Sequence, residues 1–282
     1  MAHADYGQLR NLVSLLDYEN IDIYIHINKR SHNWDKNVLN NAAIRSKIFF
    51  VDRVNIYYCD YSQVNAQKKL LEAATKNGYD YYHLISGSDL PLHPISEIIR
   101  FFDMNKGWEF VGIAKNYDSR LAGIKAFFSN TIRTSSGVIQ RIAIRLSKLL
   151  KNAQLFLGIN LSKAYDGKPY KGSDWWSISH EAAIYVLGKE PEFKKYFRHC
   201  YCPSELFIQT ILGNSAYKEK IFHQGNERIS SLREIDWHRG TPYVWRKTDY
   251  EQLIKSPCMF ARKFNPQIDM EIINLISKHV KQ

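Results

Sequence analysis

Four cysteines, Cys59, Cys200, Cys202 and Cys258, are all that the 282 residues carry. They are too few and too irregularly spaced for a disulfide framework, and Cys200-x-Cys202 lacks the second pair that a zinc site needs. We read them as reduced thiols. No run of about 18 or more apolar residues occurs, and Met1 opens no n-region, h-region and cleavage site, so neither a spanning helix nor a secretory signal is expected. The polypeptide is expected in the cytoplasm, free or held peripherally at the inner face of a membrane. Both G-x-G-x-x-G and G-x-x-x-x-G-K-[ST] are missing, which takes support from dinucleotide and P-loop readings of any nucleotide-binding half.

Acidic residues are also scarce. Asp and Glu number 28 against 39 Lys and Arg, a formal charge of +11 that points to anionic partners. Nucleic acid, acidic phospholipid and a nucleotide-sugar diphosphate all fit until the charge is located. The apolar fraction of 45% is ordinary for a globular protein, and the length suffices for one large core or two small ones.

The chain is organised around Tyr79 to Leu92. An aromatic and aliphatic run with strand composition stops at Ser86-Gly87-Ser88-Asp89 and is closed by Pro91, which cannot continue a ladder. Open α/β sheets bind ligands beyond the carboxyl ends of their strands, so Asp89 is a candidate for meeting a sugar or nucleotide. A turn that only bonds its own backbone fits the spacing equally well. Before it, Leu9 to Leu16 has helical spacing, Ile21 to Ile27 alternates as a strand, and 48–51 and 54–58 read as short strands. A helix over 62–77 ends at Gly78. A helix from Pro94 to Met104 and a strand from Trp108 to Ala114 follow. This alternation predicts βαβ units in a mostly parallel sheet.

From about Phe127 to Gly158 the character changes. Ile139, Ile142, Leu146, Leu149, Leu150 and Ala153 fall at helical spacing, and Arg141, Arg145, Lys148 and Lys151 fill the positions between. Such a helix over 139–153 either packs on the core with a solvated basic face or lies on an anionic membrane. After a polar loop, Gly172-Ser173-Asp174-Trp175-Trp176 brings two tryptophans that suit a core or a sugar platform. Helices are predicted over 181–187, from Pro203-Ser204-Glu205 onward, over 248–253 and over 269–280. At a helix start Glu205 has a plain reading as well, since the dipole favours an acid there. Arg239, Arg246, Arg262 and Lys263 concentrate cations near the end, among Trp237 and other aromatics.

Five ordered blocks make the chain resemble the core-2/I-branching β-1,6-N-acetylglucosaminyltransferase family, which also holds the peptide O-xylosyltransferases. They are Asp22 to Ile27, Ser86 to Pro91, Gly172 to Trp176, Pro203 to Phe207, and Leu253 through Phe260-Ala261-Arg262-Lys263-Phe264. The resemblance covers nearly the whole chain. It implies an α/β fold, a GT-A-like, Rossmann-type mixed sheet flanked by helices, in one catalytic domain over 1–282. We divide that domain into a nucleotide-sugar half (1–115), a basic amphipathic insertion (116–165) and an acceptor and catalytic half (166–282). The family's first strand would normally run into Met1-Ala2-His3.

The resemblance also implies a UDP-sugar donor, inversion at the anomeric carbon and no divalent metal, with no cofactor besides the donor. It makes Glu205 the base and places a diphosphate-binding lysine at Lys263. Most GT-A enzymes hold a metal on D-x-D to meet the charge of the departing diphosphate. That motif is absent; Asp17-Tyr18-Glu19 and Asp269-Met270-Glu271 come nearest, in predicted helices or at their ends. Side-chain cations must then serve, and Arg246, Arg262 and Arg239 join Lys263 by type. We assign Asp89 to donor hydroxyls, and Asp174, Trp175, Trp176 and Trp237 to the sugar-binding cleft. The expected reaction moves GlcNAc from UDP-GlcNAc to a hydroxyl of a glycan or lipid-linked oligosaccharide. Transfer of xylose or another UDP-hexose remains open, as does a non-catalytic basic protein binding nucleic acid or anionic glycans. Nucleic acid is not expected as a partner of the enzyme.

Overall fold

Helix and strand alternate from the start of the computed structural model, which describes residues 1–282 apart from the side chains of Asn130 and Arg133. The elements run α1 (Tyr6–Leu15), β1 (Ile23–Ile25), β2 (Ile48–Phe50), α2 (Tyr61–Ala74), β3 (Tyr81–His83), β4 (Leu90–Pro91), α3 (Ile95–Met104) and β5 (Phe110–Val111). Then come α4 (Ser129–Thr134), α5 (Gly137–Phe156), β6 (Trp176–Ser179), α6 (His180–Phe197), α7 (Ser204–Gly213), α8 (Glu227–Ser231), β7 (Arg233–Ile235), α9 (Tyr250–Ile254), β8 (Phe260–Arg262) and α10 (Met270–Val280).

The strands form three small sheets. β1 pairs with β2 in parallel, β6 stands between β3 and β5 antiparallel to both, and β8 stands between β4 (antiparallel) and β7 (parallel). The sheet is thus mixed, and parallel pairing is less common than the βαβ reading of the first hundred residues predicts. Met1 and Ala2 take strand positions. The amide of Ala2 donates to His26 and its carbonyl accepts from Asn28, while Met1 exchanges bonds with Ile85 and Gly87. This dipeptide therefore joins the β1 edge to the Ser86-Gly87-Ser88-Asp89 turn.

Three local expectations need correction. The stretch 54–58 is not a strand: the amides of Val54 and Ile56 donate to the side chains of His26 (3.0 Å) and Asn28 (3.0 Å), which replace a neighbouring backbone. Burial pushes His26 down to about 4, which keeps its imidazole neutral and able to accept. The helix expected to end at Leu187 runs on to Phe197 through Gly188 and Pro191. Burial of Phe193 and Phe197 in the main core outweighs those breakers. Cys59 and Cys202 are a disulfide, not reduced thiols, since the fold brings together residues 143 positions apart; Cys200 and Cys258 are buried thiols.

The main core packs α2, α6 and α7 around Trp176, Ile178 and Tyr82, and a second gathers Leu90, Leu92, Trp245 and Phe264 under α10. Between the two three-stranded sheets lies the Arg233 side chain, 2% exposed. Its guanidinium donates to the carbonyls of Ser231 (2.8 Å), Leu84 (3.2 Å) and Trp176 (2.9 Å), to the Ser177 hydroxyl (3.2 Å), and stacks over Phe260. Burial lowers its pKa to about 10, and the nearby Asp89 carboxylate opposes that loss. Arg233→Met should cost about 3–5 kcal/mol in urea unfolding, because Asp89 loses a countercharge and the Leu84 and Ser231 carbonyls lose the guanidinium donor. A change under about 1 kcal/mol would show that Arg233 does not join the sheets.

Candidate active site

The site begins with a loop packed backbone against backbone. A Cβ on Gly172 would stand 1.8 Å from the Gly112 carbonyl oxygen, so the backbones touch directly and only glycine fits. Its amide donates to the Glu205 carbonyl (2.9 Å), the Gln209 amide donates to the Ser173 carbonyl (2.6 Å), and the Lys171 carbonyl accepts from Ala114 (2.8 Å). The loop 171–175 is thereby clamped between β5 and the first turn of α7. Glu205 lies in that turn, where the plain dipole reading is also satisfied.

The clamp brings charges together. Lys171 Nζ lies 2.9 Å from Glu205 Oε2, both partly exposed. Asp174 is pushed up to about 6, first by burial and then by the Glu205 charge, while Ser204, Arg262 and Lys171 pull it back. Glu227 is also raised by burial, against Lys171. Tyr58 reaches the same field from the rim: its hydroxyl is raised by burial and then by Glu205, Tyr201 and Asp174.

Arg262 forms the other wall. Its guanidinium lies 4.1 Å over the Trp175 ring, and its Nε is 3.7 Å from Asp89 Oδ1. Arg262 Nε and Nη1, Asp89 Oδ1 and Asp174 Oδ1 are buried without a hydrogen-bond partner. Unfilled donors on a cation beside an aromatic face suit an anionic oxygen. Lys263 follows directly, makes no ion pair among the described residues, and lowers His3 together with burial, the larger cause.

Asp89, Asp174, Trp175, Glu205 and Arg262 therefore belong to one constellation, with Lys263 beside it. Asp89 is 1% exposed, and its Oδ2 accepts from the Ser86 amide (2.8 Å). It stands against Arg262 and is closed to solvent, a setting that suits positioning of the arginine better than direct contact with donor hydroxyls. Trp176 is a core residue, 2% exposed and bonded to Gln67, which removes it from the cleft. Arg239 is held between Asp236 (2.5 Å) and Asp249 (2.7 Å), so its charge is already committed. Arg246 is exposed, with its charge acting on Asp269, and Trp237 is 58% exposed on the loop after β7.

Both nearest approaches to D-x-D have structural duties. Asp17 accepts from the amides of Ile44, Arg45 and Ser46, and Asp269 caps α10. No group of three or more His, Cys, Asp or Glu side chains among the described residues is placed to hold a metal ion. Lys171 and Tyr58 went unrecognised in the sequence. Only the position of Lys171 beside the Gly172-Ser173-Asp174 block pointed to it, and nothing local pointed to Tyr58. A cavity of about 230 Å³ beside the disulfide, lined by Arg198, His199 and Cys200, contains none of these groups.

A family profile described as Core-2/I-Branching enzyme matches residues 1–264. Xylosyltransferase 2 of Rattus norvegicus is 22% identical over 295 residues, covering 97% of this chain and 32% of its own length. Xylosyltransferase sqv-6 of Caenorhabditis elegans is 26% identical over 214 residues, 69% of this chain and 24% of its own length. The chain spans about a third, or less, of the length of these curated relatives. Mouse xyloside xylosyltransferase 1, solved in its apo form, is matched over 91% of both chains at 13% identity with a TM-score of 0.38.

The Asp174 shift makes a prediction about stability. Between the ordinary 3.8 and about 6 the folded chain keeps a proton that the unfolded chain has released, so this group lowers stability as pH rises through that window. Asp174→Asn should melt above the wild type beyond pH 6 by a margin that shrinks towards about pH 4. Thermal denaturation across that range checks it, and a margin that grows on acidification would reverse the assignment.

Proposed function

Because the chain belongs to the Core-2/I-branching enzyme family, we propose that it is an inverting glycosyltransferase that moves a sugar from a UDP-sugar to a hydroxyl of a glycan or lipid-linked oligosaccharide, without a divalent metal. Its mixed α/β architecture is the GT-A-like fold of that family. The observation that carries the reading is the pairing of two walls: Glu205 held by Lys171 on one side, and Arg262, with unfilled donors, stacked on Trp175 on the other.

In this reading Glu205 takes the proton of the acceptor hydroxyl as that oxygen attacks the anomeric carbon, and a single displacement inverts the centre through an oxocarbenium-like transition state. Lys171 fixes the rotamer of the base. Charge developing on the departing diphosphate meets Arg262 and Lys263, preorganised cations that do the work of an ion. Asp89 holds the Arg262 fork at its angle, and Trp175 and Asp174 border the sugar. Arg246, Arg239 and Trp237 have no assigned contact with the donor. GlcNAc is our first choice of donor sugar. Xylose is the second, favoured by the names of the curated relatives. A basic protein without turnover that binds nucleic acid or anionic glycans would not need the Lys171–Glu205 pair.

Release of UDP from a panel of UDP-sugars identifies the donor. Glu205→Gln should lower turnover at least roughly a hundredfold while UDP still binds. Lys263→Ala should weaken UDP binding, and EDTA should leave the rate unchanged. Full activity in Glu205→Gln, or a rate restored by Mn²⁺ after chelation, would overturn the proposal.

A further inference from the structure

The sequence leaves two readings of the basic helix open, and the structure packs only a narrow strip of it on the body. Ala143 and Gln154 are the buried residues of α5. Val138, Ile142, Leu146 and Leu149, at i, i+4, i+8 and i+11, form a stripe that is 42–65% exposed, and Phe156 and Leu157 at the helix end are 91% and 67% exposed. Arg141, Arg145 and Lys148 are exposed too, at i, i+4 and i+7. At about 100° per residue this basic stripe lies roughly a quarter turn from the apolar one. Three strips thus run along the helix: one holds it to the body, one is apolar and open, one is cationic and open.

We propose that the apolar and basic strips of α5 form a docking surface for an anionic phospholipid bilayer. A helix lying in the interface sinks its apolar strip to the acyl boundary and keeps its cations at phosphate level, and the two open strips here are adjacent as that requires. The charge is concentrated in this region. Residues 119–165 contain eight Lys or Arg and no Asp or Glu, against a formal +11 for the whole chain. A second copy of the chain is disfavoured as occupant, because a two-fold contact on this face would set like cations against each other. Nucleic acid would use the cations but would leave the leucines and isoleucines in water.

The surface is firmly mounted. Gln154 accepts from the Lys125 amide (3.0 Å) and donates to its carbonyl (3.1 Å), and Lys125 bridges to Cys200, five residues before Glu205. The helix is therefore fastened to the segment that leads into the candidate base. Docking stands independently of the reaction assigned there, and its test uses no turnover.

Co-sedimentation of the full chain with vesicles of phosphatidylcholine, with and without one part in three phosphatidylglycerol, tests the surface. Binding is expected to the anionic vesicles alone and to weaken with salt. Arg141→Ser with Arg145→Ser should lower the partition about 25-fold, near fivefold per cation, and Leu146→Asp with Leu149→Asp about tenfold or more. These positions are exposed, so melting temperatures should stay close to wild type. Absence of binding, equal binding to both vesicle types, or binding unchanged in both variants would overturn the proposal. So would a solution dimer that Leu146→Asp with Leu149→Asp converts to monomer.

Discussion

A guanidinium with no access to water holds this molecule together. Arg233 reaches from β7 to the carbonyls that end β3 and start β6, so the two three-stranded sheets share one donor. Bringing a cation into a low-dielectric interior is costly unless its donors are filled and an opposite charge stands near. Four acceptors on its two terminal nitrogens and the field of Asp89 offset most of that cost, while Nε is buried without a partner. Asp89 is in turn the partner of Arg262, the side chain that faces Trp175. A buried carboxylate thus shares its charge between an arginine that joins the sheets and one that stacks on Trp175, which couples the integrity of the fold to the placement of Arg262.

The two walls differ in how they are built. Arg262 ends β8, so a ladder sets its position; the Lys171 to Trp175 loop has no ladder and is set by clamps to Glu205, Gln209 and Ala114. Asp174 lies between them and responds electrostatically to both. The same helix that supplies Glu205 begins just after Cys202, whose disulfide partner Cys59 follows Tyr58 in the chain. Tyr58, Glu205 and the loop are therefore tied to one another.

Much of this was legible in the sequence, and the failures have physical causes. Periodicity placed α1, α2, α3, α7 and α10 within a few residues, because each has one apolar face against a core. It failed over 54–58, where β-rich composition meets side-chain acceptors instead of a neighbouring strand, and at Pro191, where burial prevails over a breaker. Glu205, Asp174 and Arg262 could be singled out because short blocks carry them, and the fold brings them near one another. Whether Trp175 or Trp176 faces the cleft depends on β6 register, which residue type does not encode. Arg239 and Arg262 are alike as letters; two aspartates fill the donors of the first, while the second stands 3.7 Å from one aspartate with two nitrogens unpartnered. The exposure of Leu146 and Leu149 could not be read from spacing, since an inward and an outward stripe share one period.

Contact between the Gly172 and Gly112 backbones leaves no slack for adjustment by small steps. Where side chains meet, a methyl can be added or removed and the neighbours repack; where two main chains meet, the first added carbon already displaces the wall. The placement of Glu205 relative to the Trp175 indole is thus set by the main chain and not by side-chain packing. Variation beside Glu205 is left to exposed neighbours such as Tyr58 and Tyr201, which can be exchanged without moving that frame.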